Sequence, residues 1–211
     1  QTLKLALLIL LAWLSVGTAT AGKLFGGGKS RYAIVVAKDA SQSELTAAEE
    51  LQEYIYRISG AKLALVSEDK AADYKRYIFV GYSPKFGEKL SVQRPEDGDE
   101  GFTYRSVGDD LWIYGGKQRG TMYGVYSFLE NELGVRWYTK SCTKVPERDT
   151  WSFEKLNHSE TPAVGIRQMD YFDSQDAAFL AHNKVNSIWN SQVNDYGNLV
   201  GYWGCHTFDA L

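Results

Sequence analysis

A change of hydrophobic period between residues 32 and 60 limits the fold more than any other feature of this chain. Tyr32-Ala33-Ile34-Val35-Val36 is an almost unbroken apolar run, the pattern of a strand buried on both faces. Asp39, Ser41 and Ser43 then offer N-caps, and Leu45, Ala48, Leu51, Ile55 and Ile58 recur at spacings of three and four. That spacing turns one helical face to a core and leaves Glu49, Glu50, Gln52 and Glu53 towards solvent. Gly60 stands where such a helix ends. Residues 63–66 and 77–81 follow as strands.

Further along, residues 90–100 are polar and contain Pro95 and Gly98, so they read as a loop. Residues 101–107 and 111–114 alternate around Gly108-Asp109-Asp110, the signature of a hairpin. A second helix from about Arg119 to Glu132 places Met122, Val125, Leu129 and Leu133 on one side, Gly134 stops it, and residues 135–138 form a strand. Two amphipathic helices among strands that include an antiparallel pair predict an α+β domain, a mixed sheet covered by two helices, over residues 31–156. Residues 157–162 read as a polar linker. Beyond them come a strand at 163–169, a short helix at 174–182 and a strand at 185–189. That is one βαβ unit, which cannot form a domain alone, so the pattern expects the chain to continue past residue 211.

The first residues point to export. Lys4 precedes an apolar run over 5–14 that is too short to span a bilayer. Ala19 and Ala21 are the small residues a signal peptidase accommodates three and one positions before its cut. Residues 1–21 are therefore read as a signal peptide and 22–30, with three successive glycines, as a flexible link. The expected location is periplasmic or extracellular, with no stable membrane insertion after cleavage. The net charge of −3 and the absence of a Lys/Arg-rich run argue against nucleic acid as partner. Six Trp and fourteen Tyr suit the stacking of rings on sugar faces, although many β-rich domains are equally aromatic. Cys142 and Cys205 lie far apart and belong to no paired metal-ligand spacing, so they read as structural or free thiols. No metal and no cofactor are expected.

The stretch Gly115-Gly116-Lys117-Gln118-Arg119-Gly120-Thr121-Met122-Tyr123-Gly124-Val125-Tyr126-Ser127-Phe128-Leu129-Glu130 has neither the Walker Lys-Ser/Thr pair nor the dinucleotide glycine spacing. Gly120 and Gly124 instead suit close packing of a helix on a sheet, with Tyr123 and Tyr126 as wall residues. The same stretch resembles the helix start of the accessory domains that precede the catalytic barrels of family 20 β-hexosaminidases and family 67 α-glucuronidases. Leu133-Gly134-Val135-Arg136-Trp137-Tyr138 and Ala47-Ala48-Glu49-Glu50-Leu51-Gln52-Glu53-Tyr54-Ile55 continue the likeness. The whole arrangement resembles the domain-of-unknown-function 4838 family of exported Bacteroides-type proteins, in which this domain precedes a glycosidase-like barrel.

The resemblance implies that residues 157–211 open a (β/α)₈ barrel and that the partner is a carbohydrate. By likeness to family 20, Arg167 would bind sugar hydroxyls; pairing with Asp170 or Asp173 is the structural alternative. Asn186 matches a second-strand Lys-x-Asn segment, Trp189 would form a sugar platform, and His206 would line the pocket. Glycoside hydrolysis needs two carboxylates across the scissile bond. Asp170, Asp173 and Asp209 match no acid/base motif, so the catalytic pair is expected beyond residue 211. A non-catalytic carbohydrate-binding or interaction protein is the competing expectation.

Overall fold

The structure is a computed structural model and describes residues 22–93, 95–169, 176–186 and 194–197. Its centre is a six-stranded mixed sheet built from β2 (Tyr32–Val36), β3 (Ala64–Ser67), β4 (Arg76–Val80), β5 (Phe102–Val107), β6 (Asp110–Gly115) and β10 (Asn157–Glu160). The strand order is β10-β5-β6-β4-β2-β3. Pairs β2–β3, β2–β4 and β4–β6 are parallel, while β5 and β10 add an antiparallel edge. All five residues of β2 are buried, as its continuous apolar run requires.

Helix α1 (Gln42–Ser59) and helix α3 (Gly120–Asn131) lie on one face of this sheet. Ser41 and Glu44 form a capping box at the start of α1, and Gly60 ends it in the left-handed conformation at φ 73°. The opposite face carries a smaller cluster of Val35, Phe79, Trp112 and Tyr114. A 3-10 turn (Glu68–Asp73) and the short helix α2 (Pro84–Leu90) help to cover it through Ala71 and Leu90.

Two segments read as connectors are strands. Residues 22–30 are not a flexible link: β1 (Gly22–Gly26) pairs antiparallel with β9 (Thr150–Phe153) and buries Leu24 and Phe25. The glycine run serves a tight turn, since Gly27 and Gly28 take φ of 59° and 69°, and Gly26 N–H donates to Lys29 O at 2.9 Å. Two successive positive φ values match a two-residue hairpin turn, which glycine adopts without steric cost. Residues 157–160 are likewise no linker but edge strand β10, whose polar residues alternate between exposed and half-buried. The paired strands therefore run from residue 22 to residue 160. A small pair, β7 (Arg136–Thr139) with β8 (Cys142–Lys144), completes the set and leaves Cys142 exposed with a free thiol. Cys205 lies outside the described residues.

Residues 163–169 also depart from the sequence reading. Among the described residues they hold a single bridge position, Gln168, rather than a strand. The reason is local: Arg167 N–H donates to the side-chain oxygen of Asn186 at 2.8 Å, while Asn186 N–H donates to Arg167 O at 3.1 Å. One side chain thus replaces the first rung of a ladder. The predicted helix at 174–182 is α4 (Ala177–His182), capped by Asp176, whose carboxylate accepts Phe179 N–H at 2.8 Å.

Helix α3 decides how the chain beyond residue 160 is used. Every residue from Gly120 to Leu129 is buried, Tyr123 and Tyr126 among them. A helix without a solvent face must be covered on both sides. The sheet covers one. There a Cβ on Gly124 would stand 3.0 Å from Ile113 Cγ2, and one on Gly120 would stand 2.5 Å from Gly101 O. Gly120→Ala pushes against backbone that cannot swing aside, so a loss of about 2–3 kcal/mol is expected in chemical denaturation. Gly124→Ala, which meets side chains at 3.0 and 3.2 Å that can give by a few tenths of an ångström, should cost less. Equal losses would mean that the two glycines do not set the helix-to-sheet distance.

Candidate functional site

Open sheets with parallel strands commonly take ligands at the carboxyl ends of neighbouring strands whose helices leave to opposite faces. Here that place lies beyond β2 and β4, and the chain fills it. Ser41 Oγ donates to Lys117 O and Ser43 Oγ to Gln118 O, each at 2.7 Å. Thr121 Oγ1 donates to Glu44 Oε1 at 3.1 Å, and about 10 Å³ of space remains beside Glu44. Burial pushes the Glu44 carboxyl above its ordinary range, against hydrogen bonds from Ser41 and Thr121. Gly115 and Gly116 are no phosphate cradle either. A Cβ on Gly116 would fall 1.9 Å from Asp99 O, so the 96–101 loop occupies that space.

The same loop delivers Glu100, the centre of the most elaborate polar cluster. Its carboxylate accepts Arg119 Nε at 2.5 Å, the Arg167 terminal nitrogen at 2.5 Å, and the Asn186 amide at 2.8 and 3.0 Å. The Glu100 side chain is 10% exposed and that of Arg119 is 7%. Burial alone would raise the Glu100 carboxyl, but the bonds from Asn186, Arg167 and Arg119 win and hold it below the usual carboxylate range. A carboxylate held ionised by three donor groups is a poor proton donor and a strong anchor.

Two further ties join the same segment to the first domain. Lys184, in the left-handed region at φ 57°, sets its ammonium 3.8 Å from Glu130 of α3 and 3.9 Å from Glu160 of β10. His182 enters an aromatic niche: it stacks on Trp137 at 4.6 Å and 14°, meets Tyr126 edge-on at 4.6 Å, and sets Nε2 2.5 Å from Glu50 Oε2. The Tyr54 hydroxyl accepts Trp137 Nε1–H at 2.7 Å. Tyr196 O–H reaches the other oxygen of Glu50 at 3.3 Å. Residues 163–169, 176–186 and 194–196 thus supply the second cover that α3 needs.

The structure brings Arg167 and Asn186 together on Glu100. Arg167 Nε also donates to Lys184 O at 2.7 Å, its Nη1 to Val164 O at 2.6 Å, and its guanidinium lies 5.8 Å from the centre of the Tyr123 ring. Each guanidinium nitrogen therefore has an acceptor within the chain. Trp189, His206, Ala19, Ala21, Asp170, Asp173 and Asp209 lie outside the described residues. Glu100, Arg119 and His182 escaped the sequence reading. Among the described residues no cluster of His, Cys, Asp or Glu is arranged to hold a metal ion, and no helix is long and apolar enough to cross a membrane.

The helix start that packs against Glu100 lies within a stretch already linked to glycosidases by its residues. The family model described as Glycosyl hydrolase family 67 N-terminus matches residues 13–128. The chain belongs to this family. No curated protein sequence matches it significantly. In solved structures, this family 67 N-terminal domain is similar in fold to a family GH115 4-O-methyl-α-glucuronidase with specificity for decorated arabinogalactans. That likeness has 15% identity and a TM-score of 0.57, over 79% of this chain and 25% of that one. Looser likenesses are to Flavobacterium johnsoniae chitobiase, at 12% identity and TM-score 0.48 over 79% and 24% of the two chains. A Streptomyces coelicolor family GH20 β-N-acetylhexosaminidase follows at 16% and 0.43 over 71% and 27%. The chain spans about a quarter of the length of these structures. The mixed α+β sheet domain is thus a glycoside-hydrolase-related N-terminal domain.

Proposed function

We propose that this chain is the N-terminal part of an exported protein of the domain-of-unknown-function 4838 type. In it, the family 67 N-terminal domain carries and orients a following (β/α)₈ barrel that acts on extracellular or periplasmic glycans. One observation carries the reading. Helix α3 has no solvent face, and residues of the following segment lie against it at three places: Arg167 over Tyr123, His182 against Tyr126 and Lys184 beside Glu130. A domain that exists to hold its neighbour in place needs such a surface. The residues 4–21 support export, with the cut after Ala21 and a mature chain beginning at Gly22.

In this reading Arg167 and Asn186 anchor the start of the barrel, and Trp189 and His206 are the candidates for sugar contact. The test uses the protein extended by its downstream reading frame, assayed for sugar release from glucuronoxylan, arabinogalactan and chitooligosaccharides. Release from one of them is expected, and binding without release from any would favour the non-catalytic reading. Arg167→Ala in that protein should lower the thermal midpoint while sparing turnover per folded molecule. An unchanged midpoint with weakened substrate affinity would return Arg167 to the sugar.

A further inference from the structure

An open groove of about 560 Å³ lies at the opposite end of the sheet from the filled crevice, where β2 and β4 begin. Its wall contains Lys23, Lys29, Arg31 and Arg76, together with Ser30 and Phe25, and no carboxylate. Sequence alone does not show this cluster, because Arg76 joins the other three only through the pairing of β4 with β2. Among the described residues Arg76 is the only one of the four in an ion pair, with Asp109. Three exposed cations therefore face one groove on a chain whose net charge is −3.

The groove is built on fixed backbone. β1 is held by β9, Ser30 Oγ donates to Leu24 O at 2.6 Å, and Tyr32 N–H donates back to Ser30 Oγ at 3.1 Å. The Lys23 side chain lies across Gly26: a Cβ there would fall 2.2 Å from Lys23 Cε and 2.5 Å from its Nζ. Gly26 thus leaves the room in which the ammonium sits. Like charges gathered without partners repel one another, and an anionic ligand relieves that repulsion. The volume falls in the range of about 300–1,000 Å³ typical of small-ligand sites.

We propose that this groove binds an acidic polysaccharide through the carboxylates of its uronate units, as a secondary glycan site outside the barrel. The cations are distributed along an open groove, which suits charges spaced along a chain better than a single compact anion. The choice of polysaccharide rests on the glycan-acting function proposed above.

The test is affinity electrophoresis of the chain in gels containing polygalacturonate, neutral xylan or no polymer. Retardation is expected with polygalacturonate only. The K23Q/K29Q/R31Q variant should weaken binding about tenfold or more with an unchanged thermal midpoint. Gly26→Ala, which displaces the Lys23 ammonium, should fall between the two. Equal retardation of the triple variant would overturn the proposal. So would equal retardation of the wild type by neutral xylan, or equal binding of single-stranded DNA or anionic lipid vesicles at the same salt. Polygalacturonate binding by a chain whose extended form releases no sugar would sink the proposed function and leave the groove standing.

Discussion

Replacing Glu100 by Ala is expected to lower the thermal midpoint by roughly 6–12 °C and to expose residues 163–169 and 176–186 to protease. The magnitude follows from what is left behind. Arg119 and Arg167 both point at this carboxylate, and the Arg119 side chain is 7% exposed. Removing one partner of a buried ion pair strands the other charge, which costs about 3 kcal/mol or more. A chain of this size loses about 2–4 °C per kcal/mol. Glu100→Gln separates charge from shape, since the amide keeps the volume but adds N–H groups where two guanidinium groups need an acceptor. It should lose nearly as much at neutral pH. A shift under 2 °C for both variants would show that the cluster holds nothing.

Acid should erase the difference between wild type and Glu100→Gln. The Glu100 carboxyl sits below its ordinary value in the folded chain, so its stabilisation is present above the unfolded value of about 4.3. It disappears as the pH falls through the folded value. Glu44 and Asp110 work in the other direction. Burial raises both, so their cost to the fold is present at neutral pH and is relieved as they take up protons. The acid curve of the wild type alone mixes these effects. The wild-type-minus-Gln difference isolates Glu100 and should shrink only below the usual carboxylate range. A gap independent of pH would assign the loss to shape rather than charge.

The parts of the fold that were legible in sequence are those governed by local period. β2 and α1 were, because a five-residue apolar run and a three-four spacing each have one physical reading. The connectors were not. Gly26-Gly27-Gly28 suits a flexible link and a tight turn equally well, and only the partner strand β9, more than a hundred residues on, decides between them. Asn157-His158-Ser159-Glu160 has the composition of a linker because an edge strand can present polar side chains to water. Helix α3 carried a readable sign. Met122, Tyr123, Val125, Tyr126, Phe128 and Leu129 together go most of the way round the helix, so it calls for two covers. Glu100 carried none. It closes a run of acidic loop residues and meets partners 19, 67 and 86 positions away, a coincidence that exists only in three dimensions.

Trp137→Ala is expected to remove about 3–5 kcal/mol, because a large buried ring leaves a cavity that its neighbours cannot close. Trp137 is 7% exposed and joins two bodies of the chain. On the inner side its Nε1–H satisfies Tyr54, and it meets Tyr126 edge-on at 5.8 Å. On the outer side it stacks on His182 of α4. The alanine variant should therefore lower global stability and release α4 together. His182→Ala removes the outer stack together with the Glu50 and Tyr126 contacts of His182, but leaves the Trp137–Tyr54 bond in place. It should speed amide exchange in α4 while leaving β2 protected as before, with a midpoint loss less than half that of Trp137→Ala. Trp137→Phe keeps a ring for His182 to stack on but leaves Tyr54 without its donor, and should fall between them. If His182→Ala destabilises β2 and α4 equally, α4 is an integral part of the first domain's core and not a neighbour docked upon it.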